Sequence, residues 1–128
     1  MTNLKNRDAA EECYYTAIDA MAAGNVALAM EHFRAALACD ATFADAWHGL
    51  IRALQDAGLL EEALSAARQL AALEPEDVLA HTRLSILHQM QGNIPEAEAE
   101  AAKARILGWK QELESKRQRT ADSGGNSK

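Results

Sequence analysis

Four histidines and two cysteines are the residues of this 128-residue chain that could ligate a metal or act as a nucleophile or base. His81 and His88 stand seven apart, so on a helix they share one face, as two zinc ligands would. A working site needs more than two imidazoles. No HExxH, no CxxC and no carboxylate pair at ligand spacing accompanies them, and His32 and His48 fall in other segments. Neither Cys13 nor Cys39 has a base at helical spacing, and no glycine-rich phosphate loop is present. The expectation is therefore no catalytic residue, no metal and no cofactor. With no export signal in "MTNLKNRDAAEE", the two cysteines read as packed thiols rather than a disulfide.

The elements that would carry these residues are helices. Alanine, leucine and glutamate dominate, only 5% of residues are aromatic and two are proline, so the fold class expected is all-α, without strands. Hydrophobic residues make up 48% of the chain and charged ones 25%, the balance of a chain that can bury a core. Within "WHGLIRALQDAG", Trp47, Leu50, Ile51 and Leu54 recur at i, i+3, i+4 and i+7, one apolar stripe. In "LLEEALSAARQLAAL", Leu60, Ala63, Leu64, Ala67, Leu70 and Leu73 form a second. Gly58 divides them, although glycine inside a helix costs about 1 kcal/mol relative to alanine. Gly24, Gly58 and Gly92 are spaced evenly at 34 residues, and Ala29, Ala63 and Ala97 follow each by five. Such a period in a helical chain predicts stacked helix-turn-helix units, each too small to bury its apolar face alone.

With those positions aligned, the chain resembles the tetratricopeptide repeat, whose pattern is W-x2-L-G-x2-Y, then alanine, an aromatic and proline. Repeat 2 (44–77) carries Trp47, Leu50, Leu54, Gly58, Ala63 and Pro75 in register. Repeat 1 (10–43) has Cys13 in the tryptophan slot and keeps Gly24, Ala29, Phe33 and Ala36; repeat 3 (78–111) has His81 there and keeps Leu84, Gly92, Ala97 and Ala104. The resemblance spans residues 10–109. It departs at Ala41 and Trp109, which replace the proline, and at Ala67 and Ala101, which replace the aromatic. His88 occupies the tyrosine slot of repeat 3, so His81 and His88 read as packing residues.

The resemblance implies a right-handed superhelical stack of three hairpins, closed by a C-terminal capping helix at 109–119, with 1–9 as an N-terminal extension and 120–128 as a disordered tail. It also implies function: the first helices of successive repeats line a groove that holds a peptide or a helix of another protein. By position the groove residues are Glu11, Tyr14, Ile18 and Met21 in repeat 1, Asp45, His48, Arg52 and Gln55 in repeat 2, and Leu79, Thr82, Arg83, Ile86 and Gln89 in repeat 3. Tyr14, Ile18 and Ile86 could equally serve to pack neighbouring helices. Some members of the family clamp a C-terminal carboxylate at positions that here hold Tyr14, Ile18, Gly49, Leu79 and Arg83. Only Arg83 has the chemistry, so a ligand with apolar anchors, such as an amphipathic helix, is expected, with Arg52 and Arg83 free to meet an acidic group.

Charge narrows the partner further. Residues 1–109 carry 8 basic and 16 acidic side chains, and 110–128 carry five and three, so a body at -8 precedes a tail at +2. An acidic body repels phosphate backbones, and nucleic acid is not expected. No apolar run approaches the roughly 20 residues that span a bilayer, so the sequence reading is a cytoplasmic protein without a membrane partner. The alternative partner is a second copy of the chain, filling the groove or the open end of a short stack.

Overall fold

In the computed structural model, which describes residues 6–126 and side chains as far as Asp122, the described residues form six helices and no strand. They are α1 (Arg7–Ala22), α2 (Val26–Cys39), α3 (Ala44–Asp56), α4 (Leu60–Leu73), α5 (Val78–Met90) and α6 (Ile94–Asn126). Helices α1 and α2, α3 and α4, and α5 and α6 pack as hairpins. Each second helix also packs against the first helix of the next pair, and α1 touches α3.

The periodic glycines make the hairpin turns. Gly24, Gly58 and Gly92 have φ of 81°, 79° and 82°, a left-handed conformation that costs any residue with a Cβ. Each donates its N–H to a carbonyl three residues back, and the next residue donates five back: Asn25 to Ala20 at 2.8 Å, Leu59 to Leu54 at 2.9 Å, Asn93 to His88 at 2.8 Å. This is the Schellman arrangement, which satisfies the last carbonyls of one helix while reversing the chain.

The core runs the length of the stack. Ala29 and Ala63 are fully buried and Ala97 nearly so, which lets the paired helices approach closely. Phe33 on α2 lies fully buried against α3, where Gly49 presents no side chain to its ring. The tryptophan slot has a polar task besides packing. Trp47 Nε1 donates to the Ala41 carbonyl at 2.8 Å, and His81 Nε2 donates to the Pro75 carbonyl, also at 2.8 Å. Histidine thus reproduces the indole's bond, and its Nδ1 sits 2.8 Å from Glu100 Oε1 on α6. Both His81 and His88 are buried. Cys13 and Cys39 are free, half-buried thiols, and burial followed by the neighbouring Cys39 pushes the Cys13 thiol up.

The chain's entry into the stack is fixed by one acid. Asp40 is 1% exposed, accepts from Arg7 Nε at 2.7 Å, and accepts from the Thr42 hydroxyl and backbone N–H at 2.7 and 3.0 Å. The Arg7 guanidinium lies over the Phe43 ring, 4.3 Å from its centroid. The hydrogen bonds from Thr42, then those from Arg7, hold the Asp40 carboxyl down from 3.8 to about 2. A carboxyl lowered by folding stabilises the fold above its unfolded value, and that stability drains away as pH falls from 3.8 towards about 2. Asp40→Asn should lower the melting midpoint at neutral pH and flatten its dependence on pH over that window. Superimposable acid profiles for the two chains would contradict this assignment.

The C-terminal end differs from expectation. Helix α6 runs unbroken for 33 residues, so 109–119 is the continuation of the last hairpin's second helix rather than a separate capping helix. Gly108 is helical and has no left-handed φ, so nothing breaks the helix there. Residues 120–126, expected as part of a disordered tail, form its last turns, and 127–128 lie outside the described residues. At the other end α1 begins at Arg7, with the Asn6 side chain capping it through the Ala9 N–H, so 7–9 of the expected N-terminal extension belong to the first helix; 1–5 lie outside the described residues. Met30, Phe33 and Leu37 on α2 and Leu64, Ala67 and Ala71 on α4 belong to the core, whereas the positions 34 residues further on, Glu98, Ala101 and Arg105 on α6, carry two charges. The stack closes by turning that face polar.

Candidate functional site

Helices α1, α3 and α5 carry all thirteen residues expected to line the groove, and the structure groups them unevenly. Helical spacing sets which of them can meet: Ile18 and Met21 stand one turn apart on α1, as do His48 and Arg52 on α3. A pocket of about 450 Å³ opens between these helices, lined by Ile18, Met21, Ala22, Phe33, Gly49, Arg52 and Asp56. Its apolar wall comes from α1 and the Phe33 ring. Its charged rim is Arg52, exposed and 3.4 Å from Asp56 Oδ1.

Between α3 and α5 a second feature links three side chains. Arg83 Nε donates to His48 Nδ1 at 3.0 Å, which leaves Nε2 to carry the hydrogen and donate to Asp77 Oδ2 at 2.8 Å. Asp77 is fixed in turn as the N-cap of α5, its Oδ1 accepting from the Leu79 and Ala80 N–H groups at 3.0 and 3.2 Å. Burial, then the charge of Arg52, pushes the Arg83 guanidinium below its ordinary value, while Asp77 pulls the other way. The result is an oriented cation beside an exposed one that pairs with Asp56 within its own helix.

The remaining residues sit apart. The Tyr14 ring is half-buried against Phe33 and Phe43, with centroids 5.9 and 5.2 Å away, so it supports the core from the groove side. Burial, then Asp45 and Tyr15, raises its hydroxyl. Leu79 and Ile86 project from α5 as exposed apolar side chains. The Thr82 hydroxyl donates to its own helix, at the Val78 carbonyl. Glu11 and Gln55 are half-buried, Asp45 is exposed, and Gln89 lines a different hollow between α5 and α6. Sequence reasoning missed Phe33, Ala22, Asp56 and Asp77 as site residues, and named Gly49 only as a clamp position without the needed chemistry. Asp77 had a readable signal, an aspartate immediately before an apolar helical run.

Among the described residues no group of three or more His, Cys, Asp or Glu could hold a metal ion, and no helix is long and apolar enough to cross a membrane. His48 has both ring nitrogens engaged, which leaves neither to act as a base.

No protein-family model matches the chain, and no curated protein matches it in sequence. Solved structures match it closely in fold. A crystal structure of MamA superposes with a TM-score of 0.80 at 19% identity over 84% of this chain, which spans 63% of that one. The first TPR of Spaghetti (RPAP3), bound to the HSP90 peptide SRMEEVD, gives 0.79 at 14% identity, covering 94% of this chain and 99% of its own. PcrH in complex with the chaperone-binding region of PopB gives 0.74 at 25% identity over 80% and 82%. These likenesses and the 34-residue pattern lead to one conclusion: the chain has the tetratricopeptide-repeat fold, three helical hairpins in series with a prolonged last helix.

Proposed function

We propose that this chain is a non-catalytic protein-interaction module that holds a peptide or a helix of another protein against α1, α3 and α5. The observation that carries the reading is the apolar pocket of Ile18, Met21 and Phe33 with Arg52 on its rim and Arg83 held in place beside it. The fitting ligand inserts an apolar side chain into the pocket and sets an acidic group against the two guanidiniums. Two neighbours in fold were solved with a segment of another protein bound, the chaperone-binding region of PopB on PcrH and the HSP90 peptide on Spaghetti. A carboxylate clamp is a poorer fit, because Tyr14, Ile18, Gly49 and Leu79 cannot supply it.

Peptides selected from a displayed random library against the intact protein provide the test. The selected sequences should pair an apolar anchor with an acid. Changing Ile18, Arg52 and Ile86 together to glutamate, all exposed positions, should weaken them by roughly 30-fold or more, the scale of one lost hot-spot contact. Helical circular dichroism should be unchanged. Undiminished binding would remove this groove from consideration.

A further inference from the structure

We propose that the outward face of α6 is a self-association surface, on which a second copy of this chain lays its own α6 in antiparallel orientation. Helix α6 is about 50 Å long and α5 about 20 Å, at 1.5 Å per residue, so the last hairpin covers less than half of it. The side turned to the body is identified by its contacts: Ala97 is buried, Glu100 meets His81, and Gln111 donates to the Glu76 carbonyl at 2.8 Å. At 100° per residue the opposite side carries Ala102, Ile106, Trp109 and Leu113, spaced four, three and four apart. That is the spacing of a two-helix seam. Ile106, Trp109 and Leu113 are 56%, 64% and 60% exposed, the apolar face of a single helix with nothing upon it.

Charge selects the occupant. The exposed flanks of this stripe are acidic early in the helix, at Glu96 and Glu98, and basic late, at Lys116 and Arg117. Two copies related by a two-fold axis near residue 107 would set Ile106 against Trp109 and Ala102 against Leu113. In that register Glu98 meets Lys116 of the second copy, Glu96 meets Arg117, and Arg105 meets Glu112, each pairing occurring twice by symmetry. One like pairing arises, Lys103 with Lys110, and Lys103 already has Glu100 at 3.4 Å. A parallel pairing would instead oppose acid to acid and base to base.

Light scattering of the full chain across concentration, in low salt, reads the outcome. The mass should rise from 13.9 kDa towards twice that value. Trp109→Glu should hold it at the monomer. Lys116→Glu with Arg117→Glu should weaken association by roughly tenfold or more, and adding Glu96→Lys with Glu98→Lys should restore it, a rescue that helix damage could not produce. A monomer at every concentration, a dimer that survives Trp109→Glu, or a charge reversal without rescue would each overturn the proposal. So would a blue shift of Trp emission that the monomer shows on phosphatidylserine vesicles and that Trp109→Glu abolishes, because the stripe would then serve a membrane surface.

Discussion

Replacing Phe33 with alanine should destabilise the protein by about 3 to 5 kcal/mol, the cost of deleting a large ring from a core that cannot collapse around the gap. The ring is fully buried, tilts against Tyr14 at 5.9 Å, and closes the floor of the groove pocket. It is the one aromatic at its repeat position, since Ala67 and Ala101 stand at the equivalent sites. The first hairpin is thus held to the second by a contact the later pair lacks. Denaturant unfolding checks this, and a loss under about 1 kcal/mol would mean the ring is not packed as described.

The second large effect comes from its counterpart. A Cβ built on Gly49 would lie 2.3 Å from Phe33 Cε1 and 2.4 Å from Cζ, far inside van der Waals contact. Gly49→Ala should therefore cost about 3 kcal/mol by overpacking, even though alanine is the better helix former by about 1 kcal/mol. The two substitutions must be coupled. On a Phe33→Leu background the clash disappears and Gly49→Ala should become neutral or stabilising, a sign reversal that a double-mutant cycle would read directly.

These two residues also mark where sequence reading stops. The glycine period was legible because its cause is local: a positive φ at a hairpin turn restricts the residue type whatever surrounds it. The stripes containing Trp47 and Leu64 were legible because one helix sets their spacing. Gly49 carried no such signal, since its reason is a ring sixteen positions earlier in the chain. The groove was legible by position only. That Met21 and Arg52 share a pocket, or that Arg83, His48 and Asp77 join across 29 and 35 residues, depends on how α3 lies against its neighbours. Helix α6 misled in the opposite direction. A separate capping helix was expected at 109–119, yet Gly108 accepts helical geometry at a cost of about 1 kcal/mol, and the long helix absorbs it.

His81 illustrates a middle case. Its slot could be assigned from the period, and burial followed from the slot. Its reason for being histidine rather than tryptophan did not, because Glu100 approaches from a helix nineteen residues later. Position was readable from the repeat, chemistry only from the packing.

The measurement closest to the central claim is amide chemical-shift mapping of the isotopically labelled protein as a selected peptide is titrated in. Binding in the groove predicts that the shifted amides cluster on α1, α3 and α5, around Ile18, Met21, Arg52 and Arg83. Shifts confined to α2, α4 or the outward face of α6 would contradict it.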